Sequence, residues 1–148
     1  MEPAFHLVPI SGVDARPAPL NDEAFHEGFG FVARLMEDWT TGSNTFSQAG
    51  ERLIGAVREG RLLGVCGLNR DPYVTESGVG RLRHLYVKKA ERHRGISSAL
   101  VRHLVEQARG TFRIVRLRAG TPQAAAFYEA IGFTGTADDN ASHVLELN

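Results

Sequence analysis

The sequence predicts a single-domain α/β fold: a mixed central sheet of about six or seven strands flanked by helices. Three observations predict it. The chain has 148 residues, 43% apolar and 23% charged, the length and composition of one globular domain spanning 1–148. From Leu53 onward, short runs rich in Val, Ile, Leu and aromatic residues come first as a hairpin pair and then alternate with two helical stretches. That order builds strands laid beside strand–helix–strand units. The stretch from Leu82 to Leu104 joins a strand to a helix through a basic turn, so this strand and the one after the helix are expected to be parallel neighbours joined by a right-handed crossover.

Phe5 to Ile10 reads as a first strand, after which Pro9, Gly12, Pro17 and Pro19 break the chain. Asn21 or Asp22 can cap a helix whose Phe25, Phe29, Val32, Met36 and Trp39 recur every three or four residues, a buried helical face. Gly28 and Gly30 weaken that helix. Thr40 to Gly50 is small and polar, a loop. Leu53–Val57 and Leu62–Leu68 read as strands, with Glu59-Gly60 as the hairpin turn between them. Asp71 to Gly80 is a polar connection before the central strand, Leu82–Val87. A helix then runs from Gly95 to about Ala108, with Ile96, Ala99, Leu100, His103 and Leu104 along one face and Gly110 as its stop. Phe112–Leu117 is the next strand. Thr121 caps a helix with Pro122 at its first position and Gly132 at its end. Phe133 starts a strand, Asp138-Asp139-Asn140 turns, and His143–Leu147 is a last strand.

Acidic and basic residues balance at 17 each, so no global field points to nucleic acid or to a membrane surface. No stretch is long and apolar enough to span a membrane, and the first residues lack a signal peptide's basic region and apolar run, so a cytoplasmic protein is expected. The single Cys66 excludes an intramolecular disulfide, suits a reducing compartment and reads as a small buried residue. His6, His26, His84, His93, His103 and His143 include no metal-ligand pair at helical spacing, so no metal is expected.

The candidate binding site is the turn after the central strand. The first backbone N–H groups of a helix lack partners within it, and its dipole favours an anion there. Gly95 opens the helix without a side chain to obstruct close approach. Arg92, His93 and Arg94 stand beside it, with Ile96, Ser97 and Ser98 in the first turn, where hydroxyls and guanidinium groups can add charge-assisted hydrogen bonds to a phosphate.

This turn and a second motif together resemble the GNAT (GCN5-related) N-acetyltransferase superfamily. Arg92-His93-Arg94-Gly95-Ile96-Ser97, beginning five residues beyond Val87, is similar to the family's acetyl-CoA loop, Arg/Gln-x-x-Gly-x-Gly/Ala. Ala124 to Phe133, with Phe127, Tyr128 and Gly132, is similar to its later Ala-x-x-Phe-Tyr-x-x-x-Gly-Phe motif. The resemblance covers roughly Leu53 to the last residues. Ser97 departs from the usual Gly or Ala, and Thr121 stands where many members carry Asn.

The resemblance implies an acetyl-CoA-dependent N-acetyltransferase acting by direct transfer in a ternary complex onto a primary amine of a small molecule or protein. The alternative is a non-catalytic acyl-CoA-binding sensor or regulatory module. It further implies that the central parallel strands splay apart, with the pantetheine arm between them and its amides on the backbone of Leu85, Tyr86 and Val87. Tyr128 matches the family's general acid for the departing thiolate; by its residues alone it also reads as a Tyr packed on an amphipathic helix. Strand alternation places Arg81, Arg83, Leu85 and Val87 on one face and Leu82, His84 and Tyr86 on the other. On that reading His84 points away from the acyl group, and a bulge would reverse the inference. Asp71, Glu76, Glu37 and Asp38 lie in segments that could border the groove and read as solvated surface charges, so no general base is assigned and ordered water is the route left for the amine's proton. Arg81 and Arg83 read either as exposed strand arginines or as a positive acceptor site for a substrate bearing carboxylate or phosphate. A homodimer is compatible with such a domain and is not specified by the sequence.

Overall fold

The computed structural model describes residues 5–10, 46, 50–92 and 95–147. The helix expected after Asn21 lies outside them, as do Glu37, Asp38, His93 and Arg94. Seven strands form one sheet in the order β1-β2-β3-β4-β5-β7-β6: β1 (His6–Pro9), β2 (Arg52–Arg58), β3 (Arg61–Arg70), β4 (Val79–Val87), β5 (Ile114–Leu117), β6 (Thr134–Gly135) and β7 (His143–Glu146). A 3-10 turn, Lys89–Glu91, precedes helix α1 (Ile96–Ala108), and helix α2 (Pro122–Ile131) follows β5. The pairing of β4 with β5 is parallel, and every other pair in the sheet is antiparallel. This is the mixed α/β architecture expected.

Local chemistry explains most boundaries. Glu59 and Gly60 both take positive φ, 53° and 77°, the requirement of the two-residue turn that matches strand twist. Thr121 Oγ1 accepts from Ala124 N at 3.1 Å, Pro122 occupies the first turn of α2, and Gly132 ends it at φ 125°. Asn140 N donates to Asp138 Oδ1 at 2.9 Å, an Asx turn between β6 and β7.

β3 is buried from Leu62 through Asn69 without a break, the signature of a strand covered on both faces. One face carries Ile54, Cys66, Leu68, Leu82 and Val87 against α1 and α2, together with Val115, Leu117 and Tyr128. The opposite face carries Ile10, Phe46, Leu53, Val57, Leu62, Val65 and Tyr86. Cys66 is fully buried, and burial pushes its thiol up to about 12, so it is the small core residue expected.

Three boundaries or faces differ from expectation. The core stripe of α1 is Ile96, Leu100, Val101, Leu104, Val105 and Ala108; Ala99 and His103 flank it half-buried, because two Val residues pull the buried face round the helix. β4 begins three residues before Leu82, since Gly80 and Arg81 pair with Arg70 and Asn69 on one side while Val79 starts the rung to Ile114 on the other. β5 begins after Phe112, whose buried ring anchors the turn out of α1 while its N–H donates to Ala108 O at 2.9 Å.

Candidate functional site

The site is organised by the divergence of β4 and β5. Their rungs are Val79–Ile114, Gly80–Val115 and Arg81–Arg116, and there the ladder ends. β4 continues through Leu82 to Val87 toward the start of α1. β5 stops one residue later, at Leu117, so the stretch of β4 from Leu82 to Val87 forms a slot on its β5 side, from a closed end at Arg81 and Arg116 to a helix N-terminus.

At the open end, Gly95 is the N-cap of α1 in the left-handed region, φ 84° and ψ 5°, with no side-chain cap bond. Among the described residues, a Cβ built there meets nothing within 4 Å. The residue is Gly for its backbone conformation rather than for lack of room. Gly95→Ala should therefore lower stability by about 1–2 kcal/mol from left-handed strain alone, read as a fall in the urea midpoint at unchanged m-value. Ser97 and Ser98 are half-buried in the first turn, and Ser98 Oγ accepts from Arg102 Nε at 3.0 Å. Ile96 points into the core.

Arg92 is bound back onto the strand. Its Nε donates to Val87 O at 2.9 Å and its guanidinium lies 5.3 Å from the Tyr86 ring centre, so it holds the end of β4 in place beside the turn. The turn itself is fixed by Glu91, whose carboxylate takes both arms of the Arg58 guanidinium at 2.9 and 2.5 Å.

The strand between these ends corrects the simple alternation. The register of β3 against β4 shifts between Val65 and Gly67, so that Cys66 faces two residues, His84 and Leu85, where one is expected. His84 takes φ 60°, the left-handed first residue of a bulge. Beyond it the faces exchange. Leu82, Leu85 and Val87 all pack on the α1 side, whereas Tyr86 belongs to the opposite cluster. Arg83 pairs with Gly67, whose missing Cβ would point at Phe46, and the His84 ring meets Phe46 edge-on at 6.1 Å. Arg81, Arg83, His84 and Tyr86 thus share one face, and Leu85 and Val87 leave the face they were expected to share with the arginines.

Asp71 is a second correction. Its side chain is 0% exposed, not a solvated surface charge. Oδ1 accepts from Tyr73 N at 2.8 Å, while Oδ2 lies 3.4 Å from Arg81 Nη1 and 2.9 Å from Arg116 Nε. Tyr73 stacks on Arg81 at 4.8 Å. Burial lowers the Arg81 pKa, opposed by the Asp71 charge. Arg81 is thereby held inside an ion cluster at the last rung, and Arg83 is the half-buried arginine farther along the slot. Glu76 stays exposed, paired with Arg113 at 2.5 Å. It lines a groove of about 250 Å³ with Arg113, Arg116 and Asp138, near the closed end of the slot.

Tyr128 sits on α2, 8% exposed, with Phe127 and Phe133 edge-on at 5.1 and 5.7 Å. Burial, with a smaller contribution from Cys66, raises its pKa well above the ordinary phenol. Since Cys66 faces the bulge, Tyr128 is on the α1 side of the same part of β4. α2 is tied to β7 by His143, whose Nε2 is 2.8 Å from Glu129 Oε2 and whose Nδ1 is 2.9 Å from Ser142 Oγ, which also accepts from Ala119 N at 2.7 Å. The sequence pointed to the turn and to Tyr128; the bulge and the buried carboxylate were missed. Asp71-Pro72 after a strand, a common turn start, was the one local signal for the latter. Among the described residues no cluster of three His, Cys, Asp or Glu is arranged to hold a metal, and no helix is long and apolar enough to cross a membrane.

The profile of the Acetyltransferase (GNAT) family matches residues 14–133. A search among curated proteins finds no match. Among solved structures, a protein of Exiguobacterium sp. 255-15 described as an acetyltransferase superposes with a TM-score of 0.85 at 26% identity, over 99% of this chain and 94% of that one. An acetyltransferase of the GNAT family from Staphylococcus aureus Mu50 gives 0.74 at 15% identity, over 98% and 100%. A Salmonella typhimurium protein described as an acetyltransferase, solved with acetyl-CoA, gives 0.71 at 14%, over 98% and 95%.

Proposed function

The chain belongs to the Acetyltransferase (GNAT) family, and from that premise we propose that it is an acetyl-CoA-dependent N-acetyltransferase, one domain over residues 1–148, that transfers the acetyl group directly to a primary amine of a small molecule or protein in a ternary complex. The observation that carries this reading is the slot: a parallel pair whose ladder stops at Arg81–Arg116 while β4 runs on to an uncapped helix N-terminus at Gly95. A glycine whose Cβ position meets no described atom, at the N-terminus of a helix, suits the close approach of a diphosphate. In the proposal, first-turn amides and hydroxyls from Gly95 to Ser98 hold the pyrophosphate, with Arg92, His93 and Arg94 beside them. The backbone of Leu85, Tyr86 and Val87 orients the pantetheine amides.

The bound cosubstrate supplies an activated acyl carbon and a thiolate leaving group. The protein's part is to align the amine with that carbon, to offer a strand N–H to the carbonyl oxygen, and to return a proton to the sulfur from Tyr128. Arg83, on the face opposite α1, supplies positive charge for an acceptor bearing carboxylate or phosphate; Arg81 reaches that role only through the Asp71 cluster.

Calorimetry with coenzyme A and an acetylation screen of an amine panel test the reading together. Micromolar binding and turnover of some amine are expected; binding without turnover of any amine would leave an acyl-CoA sensor, and absence of binding would end both. Within the panel, Arg83→Ala should lower kcat/KM about tenfold for carboxylate- or phosphate-bearing amines and little for neutral ones. Equal loss on both sets removes the acceptor role.

A further inference from the structure

The bulge in β4 places a histidine where the chemistry still lacks a base, and we propose that His84 is the general base that deprotonates the acceptor amine. The inference rests on the acetyltransferase reading above and adds a residue to it.

The slot has a direction. Its anion-binding end is at Gly95, after Val87, and its closed end is at the Arg81–Arg116 rung. A thioester tethered to a diphosphate at the open end has its reacting carbon toward the closed end. His84 and Leu85 are the bulged pair near the middle of β4, three and four residues beyond that rung. The left-handed backbone at His84, φ 60°, is uncommon for any residue with a side chain, although His is among the residue types enriched there. Glycine would build the same bulge without strain. A histidine held there at the expense of strain, with its ring turned to the face of Arg83 and Phe46, points to a use for the imidazole.

Acid and base then flank the slot. Tyr128 is on the α1 side of the strand, beside Cys66, and Cys66 is the residue opposite the bulge. His84 is on the other side. The charged groups on its face of the packed strands are Arg81 and Arg83 of β4 and Arg116 of β5, with Asp71 between Arg81 and Arg116. β3 contributes Val65, Gly67 and Asn69 there, none charged.

The protons balance. An acceptor ammonium sheds two. The first passes to His84, whose two ring nitrogens are buried, freeing the nitrogen lone pair, and leaves the imidazole before the next turnover. As the C–N bond forms and the C–S bond breaks, the second leaves the nitrogen and replaces the proton that Tyr128 delivers to the sulfur. The products are an amide, a thiol and one proton in solution.

The test uses His84→Gly and His84→Asn, both compatible with left-handed backbone, in the full chain. Each should lose about 100-fold in kcat/KM for the amine at pH 7, with the affinity for coenzyme A kept within about threefold. The acid limb of the wild-type profile, in the range where imidazole titrates, should vanish in both, and added imidazole should restore rate to His84→Gly. In the wild type, the ring-carbon NMR signal of His84 should titrate and move on saturation with coenzyme A. Wild-type rate with an unchanged acid limb in His84→Gly, or a His84 signal blind to saturating coenzyme A, overturns the proposal. Failure of the wild type to bind coenzyme A would instead strike the function reading.

Discussion

Replacing Asp71 with asparagine should lower the unfolding free energy by about 3–5 kcal/mol, the range for removing one partner of a buried ion pair. Asp71 has no exposed side-chain surface, and the two arginines against it, Arg81 and Arg116, are only 9% and 13% exposed. Those arginines are also the last rung of the parallel ladder, so two like charges stand side by side and share one carboxylate. Asparagine keeps the shape and the acceptor for Tyr73 N, so what is lost is the charge and the Oδ2 acceptor that faces the two arginines. For a chain of this length, about 2–4 °C of Tm accompany each kcal/mol, which puts the expected fall near 10 °C. Asp138 also pairs with Arg116, at 3.4 Å, but is 41% exposed; Asp138→Asn should leave the urea midpoint close to wild type. Urea unfolding of the three proteins at constant m-value decides the matter. A loss below 1 kcal/mol for Asp71→Asn would mean that the cluster is hydrated in solution and does not pin the rung. Because the slot opens at that rung, the same substitution should also weaken coenzyme A binding, whereas Asp138→Asn should not.

What could be read from the residues was what neighbours in the chain decide. The Glu59-Gly60 turn, the Thr121–Pro122 start and Gly132 stop of α2, and the Gly95 entry to α1 are all set by chemistry within four residues. The bulge was not legible, because it is a mismatch between two strands: Cys66 against His84 and Leu85. No glycine marked it, since a histidine holds the left-handed position. One inserted residue then inverted the face of everything after it, which is why Leu85 and Val87 were assigned with the arginines. Asp71 was misread for a related reason. Its partners are ten residues away on β4 and on the far side of α1 on β5, and a carboxylate in a polar connection looks solvated until those strands meet. The α1 face erred for want of contrast: Val101 and Val105 lie next to Leu100 and Leu104, so the apolar stripe is wide enough to admit two orientations.

Tyr128→Phe should lower kcat by about 10²–10⁴-fold, the range for losing a positioned proton donor, while KM for acetyl-CoA and Tm stay close to wild type. The separation is possible because the substitution removes one oxygen and keeps the ring. The edge-on contacts with Phe127 and Phe133 survive, as do the Thr121 cap and the Glu129–His143 tie that hold α2. A kcat within threefold of wild type would make Tyr128 a packing residue and leave the sulfur to be protonated by water. The pH dependence gives a second reading of the same hydroxyl. Burial raises its pKa in the folded protein, so the neutral form persists through and beyond the ordinary phenol range near 10. The unfolded chain ionises there and binds fewer protons than the native one, so stability is intact below about pH 10 and falls as the pH rises above it. Tyr128→Phe lacks that contribution and should lose stability less steeply between pH 10 and 12 in urea titrations. Cys66, whose thiol is likewise pushed up to about 12, adds the same sign of slope from about pH 8.5 in both proteins and cancels in the comparison. If the two slopes coincide, the hydroxyl is hydrated in the native state; a general acid in a dry slot requires that they differ.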